Sequence, residues 1–199
     1  MPNSFAILLH GVGSQGSHMQ PIGEHWRAVL PGLSVITPDA PFPFAGGGHQ
    51  WFSIAGVTAE NRPQRVAAAR EALDAVIRAE LAARGFRPDI DRLIVAGFSQ
   101  GAIMALDLLA SGRLALHAVI AFSGRLASPE PLSVRSGTPL LLVHGQRDAV
   151  MPWQESHYAA ERLQAAGARV QSLFEPESDH TVTAQGAASA AEFLRSLAD

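Results

Sequence analysis

Gly97-Phe98-Ser99-Gln100-Gly101 is the segment of this sequence with the clearest chemistry. The G-x-S-x-G pattern is the form taken by a serine nucleophile on a sharp strand-to-helix turn. In a chain with 18 glycines the pentapeptide alone says little, but its setting adds weight. Leu93-Ile94-Val95-Ala96 before it is a buried-strand pattern, and Ala102-Ile103-Met104-Ala105-Leu106 after it opens a helical one. On such a turn a Cβ at 97 or 101 would crowd the neighbouring strand or helix. The helix that follows aims backbone N–H groups at the reaction centre.

A serine hydroxyl is a poor nucleophile at neutral pH and needs a base within hydrogen-bond reach. On this kind of scaffold nucleophile, acid and base follow in the order Ser, Asp, His, each from the loop after a later strand. Two histidines lie beyond His144, at 157 and 180. His157 falls in a helical segment after Trp153, where it reads as a solvated helix residue. His180 follows the last strand and is the expected base. Asp148, in His144-Gly145-Gln146-Arg147-Asp148, leaves a buried strand and is the expected acid. Asp179 adjoins the base in sequence, points its side chain away from it, and reads as a turn residue.

Acyl transfer also needs donors for a tetrahedral oxyanion. The backbone N–H of Gln100 is one candidate. The second is the N–H of Val12, in the glycine-rich Leu9-His10-Gly11-Val12-Gly13-Ser14 after the first strand. That loop lacks the lysine and spacing of a P-loop. His10 and His144 each precede a glycine at a strand end and read as hydrogen-bonded structural residues. His18, His25 and His49 lack the spacing of a metal site, and no metal is expected. Trp51, Phe52, Met151 and Trp153 are the candidate lining of an acyl or alcohol pocket, with core packing as the competing reading.

These residues need a sheet edge to stand on. Short Val, Ile and Leu runs alternate with segments of helical period, the pattern of a parallel sheet covered by helices on both faces. Strands are expected over 5–10, 33–37, 92–98, 117–122, 140–144 and 170–174. Val66, Ala69, Leu73, Val76, Ile77 and Leu81 form one apolar helical stripe, with Pro63 in its first turn and Gly85 at its C-terminal cap. Further helices are expected after Ser99, from about 152 to 166, and from about 184 to 197. Residues 38–61 read as a long structured loop, and 124–138 as a second irregular connection.

Composition narrows the classes. With 47% hydrophobic and 17% charged residues and no repeat or linker, the chain reads as a single α/β domain, 1–199. A net charge of −3 with 15 scattered Lys and Arg offers no stripe for phosphates, so no nucleic-acid partner is expected. The absence of cysteine removes disulfides and thiolate chemistry. No apolar run reaches the roughly 18 residues of a membrane span, and Met1-Pro2-Asn3-Ser4 carries no leader pattern. A cytoplasmic protein without integral membrane association is the expectation, and an exposed apolar groove would favour a homodimer.

Several motifs occur in order: Leu8-Leu9-His10-Gly11-Val12-Gly13, Pro38-Asp39-Ala40-Pro41, Trp51-Phe52-Ser53, Gly97-Phe98-Ser99-Gln100-Gly101-Ala102 and His144-Gly145-Gln146-Arg147-Asp148. Together they resemble the phospholipase/carboxylesterase family of α/β-hydrolases, which includes the acyl-protein thioesterases. Gln50-Trp51-Phe52-Ser53 and Phe122-Ser123-Gly124-Arg125 bring it near a bacterial serine-esterase branch. The resemblance implies an α/β-hydrolase fold of about six mostly parallel strands, without a large cap domain. It also implies a cofactor-free hydrolase of small-molecule esters or acyl thioesters, with Ser99, Asp148 and His180 as triad and Val12 and Gln100 as oxyanion donors. The chain departs from the family at Ser14, where an acid is usual, in the rewritten Phe42–Gly48 segment, and in starting at the first parallel strand. An acyltransferase using the same triad and a non-catalytic binding module on the same fold are the alternatives.

Overall fold

The computed structural model describes residues 2–197. Its frame is a six-stranded parallel sheet built from β1 (Ser4–Leu9), β2 (Leu33–Ile36), β5 (Arg92–Phe98), β6 (Ala118–Phe122), β7 (Pro139–Gly145) and β8 (Arg169–Glu175). The order is β2-β1-β5-β6-β7-β8. The helices are α1 (Gln20–Val29), α2 (Arg62–Ala82), α3 (Gln100–Ser111), α4 (Gln154–Ala165) and α5 (Ala184–Arg195).

The period of two along each strand divides the core into two layers. Phe5, Ile7 and Leu9 of β1 face the cluster built with α2, α3 and α4, whereas Ala6 and Leu8 face the one built with α1 and α5. Leu93 and Val95 divide from Ile94 and Ala96 in the same way along β5. Strands buried on both faces are why continuous apolar runs marked them in the sequence.

α2 buries Val66, Ala69, Leu73, Ile77 and Leu81, with Pro63 in its first turn. It ends on Gly85 at φ +67°, where the Phe86 N–H donates to Leu81 O across 3.1 Å. This is the glycine cap that the sequence suggests. On α3, buried Asp107 accepts both arms of the Arg70 guanidinium at 2.9 and 2.8 Å, together with Arg113 and the Ser128 hydroxyl. Those contacts fasten α3 to α2, to Arg113 just beyond its own end, and to Ser128 in the irregular 124–138 connection.

Two features depart from the expected elements. α1 lies in a stretch where no helix is expected, although Ile22, Trp26 and Val29 recur at helical spacing along it. Pro21 sits harmlessly in the first turn, and a Cβ at Gly23 would stand 2.3 Å from the Val35 side chain, so glycine lets α1 pack onto β2. The 38–61 loop contains a small hairpin of β3 (Phe42–Pro43) and β4 (His49–Gln50). Residues 124–138 are irregular, as expected. Among the described residues, no helix is long and apolar enough to cross a membrane.

Candidate active site

Ser99 stands between β5 and α3 with φ 54° and ψ −117°, a conformation that side-chain-bearing residues rarely adopt. Its N–H donates to Phe122 O at 3.0 Å, and its carbonyl accepts from the Ile103 N–H at 3.0 Å. Both flanking glycines are required by space. A Cβ at Gly97 would stand 2.2 Å from Gly101 O, and one at Gly101 would stand 2.0 Å from Leu9 O. The turn is therefore wedged against β1 on one side and its own helix on the other.

His180 and Asp148 reach Ser99 from the ends of β8 and β7. His180 Nε2 is 3.0 Å from Ser99 Oγ, and its Nδ1 is 2.7 Å from Asp148 Oδ2. The imidazole packs on the Phe98 ring at a centroid distance of 4.8 Å. Asp148 Oδ1 accepts the N–H groups of Val150 and Met151 at 2.9 and 2.8 Å. Burial raises the Asp148 pKa, but the Met151 N–H, His180 and the Val150 N–H outweigh it and hold the carboxyl below its ordinary range. The carboxylate thus stays charged and points at Nδ1. Asp179 is exposed and its carbonyl accepts the Thr181 N–H, so it serves the turn. His157 is exposed on α4.

The loop after β1 closes the other side. Gly11 lies so near Ser99 that a Cβ there would stand 3.3 Å from Ser99 Cβ, and Val12 lines the same groove. The loop is braced by β4, since the Gly13 N–H donates to His49 O and the His49 N–H donates to Ser14 O, both at 2.8 Å. Gln100 opens α3, so its N–H has no acceptor within the helix. Its side chain has a role that the sequence did not disclose. Oε1 accepts the Trp51 N–H and Nε2 donates to Phe52 O, each at 2.8 Å, which clamps the 38–61 loop to the turn at Ser99.

A groove of about 600 Å³ runs past Ser99 and His180. Its apolar wall is made by Met19, Ile22, Val150 and Val182, with His18 and Thr181 as polar points. Trp51, Phe52, Met151 and Trp153 are not part of this lining, which corrects the sequence-based assignment. Trp51 is fully buried, and its indole N–H donates to His10 O at 2.8 Å. Phe52 is buried beside it, and both border a separate depression with Phe42 and Arg65. Met151 is buried under Asp148, and Trp153 packs on Phe174. Large apolar side chains are useful to a core as well as to a pocket, and here the core has taken Trp51, Phe52 and Met151, while Trp153 is half-buried.

Three further histidines, His10, His18 and His49, make local contacts. His10 Nε2 accepts the Ala40 N–H at 2.9 Å, so its Nδ1–H donates to Gly11 O at 2.7 Å. His18 Nδ1 is 2.7 Å from Ser14 Oγ, His49 lies 3.8 Å from Asp39, and His25 is exposed on α1. Among the described residues, no three His, Asp or Glu side chains group as a metal site.

The model of the phospholipase/carboxylesterase family matches residues 2–198. The chain belongs to that family. Within it, the chain is 36% identical over 166 residues to esterase YpfH of Escherichia coli (strain K12), covering 82% of this chain and 70% of that protein. It is 26% identical over 173 residues to acyl-protein thioesterase 1 homolog 1 of Dictyostelium discoideum, covering 81% and 76%. The crystal structure of esterase PE8 superposes with a TM-score of 0.84 at 34% identity, covering 98% of this chain and 93% of that one. The α/β-hydrolase fold without a cap domain follows from both the family and the superposition.

Proposed function

We propose that this chain, acting as a single domain, hydrolyses small-molecule carboxylic esters or acyl thioesters through an acyl-enzyme on Ser99. Family membership makes it a hydrolase of the serine-esterase type. The observation that carries the finer reading is the continuous chain Asp148 Oδ2 to His180 Nδ1 at 2.7 Å and His180 Nε2 to Ser99 Oγ at 3.0 Å.

In the first step Ser99 Oγ attacks the acyl carbon while His180 Nε2 takes its proton, and Asp148 holds the ring and offsets the imidazolium charge. The N–H groups of Val12 and Gln100 receive the oxyanion as it forms. His180 then gives its proton to the departing alkoxide or thiolate, leaving Ser99 acylated. Water, deprotonated by His180, attacks the acyl-enzyme, and collapse of the second tetrahedral species returns the proton to Ser99. The chain's own groups supply every proton transfer in this sequence. Met19, Ile22, Val150 and Val182 offer the acyl chain an open apolar wall.

The test is hydrolysis of p-nitrophenyl esters from acetate to palmitate by wild type and Ser99→Ala in parallel. The reading expects turnover in the wild type and less than about 1% of it in the variant. Retention of more than that overturns Ser99 as nucleophile.

A further inference from the structure

Asp148 faces a second imidazole. His144, at the end of β7, is 1% exposed. Its Nε2 is 2.8 Å from Met151 O and 3.2 Å from Asp148 Oδ2, and its Nδ1 is 2.7 Å from Ser156 Oγ on α4. The tautomer follows from the partners. A carbonyl only accepts, so Nε2 carries the hydrogen, and neutral Nδ1 takes the Ser156 hydroxyl proton. Burial holds the ring below its ordinary pKa against the opposing pull of Met151 O and Asp148, so the imidazole is neutral near pH 7. The residues then form one line, Ser156–His144–Asp148–His180–Ser99. The carboxylate sits between two Ser–His pairs, and only the second pair opens onto the groove.

A histidine that merely filled space would need its two nitrogens satisfied and nothing more. His144 meets Asp148 by two routes. Its N–H edge stands beside Oδ2, the oxygen that His180 uses. The carbonyl it holds belongs to Met151, whose own N–H donates to Oδ1 at 2.8 Å. The titratable groups facing it are Asp148 from its own loop and His180 from the loop after β8, while α4 presents only Ser156.

We infer that His144, oriented by Ser156, is a positioning residue that fixes the rotation of Asp148 and draws charge from Oδ2, and so sets how strongly His180 holds its proton. The inference rests on the reading of Ser99, His180 and Asp148 given above.

The experiment compares wild type with His144→Leu, His144→Gln and Ser156→Ala. It measures melting temperature, the pH profile of kcat/KM, and the downfield proton resonance of His180 Nδ1–H. Gln restores a donor near the Nε2 position, and Leu does not. In His144→Leu, kcat is expected to fall about tenfold or more with KM changed less than about threefold. With Oδ2 relieved of one N–H edge, the acid limb of kcat/KM should move up by about half a pH unit, and the resonance should move with it. His144→Gln should recover most of both, and Ser156→Ala should fall between. If His144→Leu fails to fold, Ser156→Ala carries the test. The inference is overturned if the folded variants keep the wild-type limb and resonance, if the limb moves down, or if Gln restores melting temperature but not kcat. An active Ser99→Ala would sink the underlying reading instead, which keeps the two failures distinct.

Discussion

Gly145 and Ser178 touch backbone to backbone: a Cβ at Gly145 would stand 2.3 Å from Ser178 O and 2.5 Å from Asp179 O. The Arg147 N–H donates to the same Ser178 carbonyl at 2.9 Å. The end of β7 is thereby the seat on which the His180 loop rests. Gly145→Ala must push that loop outward, away from a 3.0 Å contact with Ser99. Since displacement near 1 Å in an active site costs about 10²-fold, kcat should fall between about tenfold and a hundredfold. Overpacking should lower stability by about 1–3 kcal/mol. Steady-state kinetics beside thermal melts check both, and an unchanged kcat would show that the seat is not needed.

Ser99, His180 and Asp148 should behave as one unit. Ser99→Ala and His180→Ala should each reduce kcat by at least about 10³, and the double variant should be no worse than either single one. Additive losses would mean that the residues act separately.

The acid response has two parts with a common sign. Asp148 has its pKa lowered by folding, so its contribution is complete above the ordinary value of 3.8 and is lost as pH falls from there through the folded value. His10, His117 and His144 are lowered by burial from 6.5. Each is neutral in the folded chain, so its contribution is complete above 6.5 and declines as pH falls toward its folded value. Each histidine contributes a slope of at most about 1.4 kcal/mol per pH unit within its window. Denaturant titrations across acid pH should show stability falling first below pH 6.5 and again below 3.8. His144→Gln should flatten the upper decline and Asp148→Asn the lower one.

Gln100 separates a backbone role from a side-chain one. Gln100→Ala keeps the N–H that opens α3 but leaves the Trp51 N–H and Phe52 carbonyl buried without partners. It should cost about 2–4 kcal/mol in urea unfolding, with kcat lowered far less than by Ser99→Ala. A variant as stable as wild type would show that the clamp is dispensable.

The groove wall should set the response to acyl length. Val150 is 70% exposed beside Asp148, and Ile22 faces the same groove from α1. Trimming either to Ala removes methyl groups worth about 0.8 kcal/mol each when covered. The ratio of kcat/KM for octanoate over acetate should fall several-fold, and an unchanged ratio would place the acyl chain elsewhere.

Much of this architecture was legible in the residues because the central strands β1, β5, β6 and β7 are covered on both faces. Those four could be found as apolar runs, and all six strands could be placed with their ends off by a residue or so, though edge strand β8 is mixed in polarity. The two glycines around Ser99 were readable because the contacts that exclude a Cβ lie within the motif or on the adjacent strand. α1 is easily overlooked although Ile22, Trp26 and Val29 recur at helical spacing, since Pro21 and Gly23, which suit its start and its approach to β2, read as loop residues. The aromatic pair Trp51-Phe52 announced burial without saying where. Gln100's clamp spans 48 and 49 residues, and the His144–Ser156 bond joins a strand end to a helix. No local pattern encodes either contact.

The wedge of Gly101 against Leu9 and the reach of His180 to Ser99 draw on distant parts of the chain. As synthesis proceeds, the turn at Ser99 can form once β1, β5 and β6 have paired, while His180 arrives only with the segment after β8. That last loop is tied down by Thr183, whose hydroxyl donates to Glu175 at 2.5 Å, and α5 beyond it receives the Trp26 indole N–H at Ala187 O. On the mechanism proposed above, a nascent chain would carry Ser99 without its base until that loop has docked. Acylation by a serine-directed probe would then be a clock for the moment when the segment after β8 has docked.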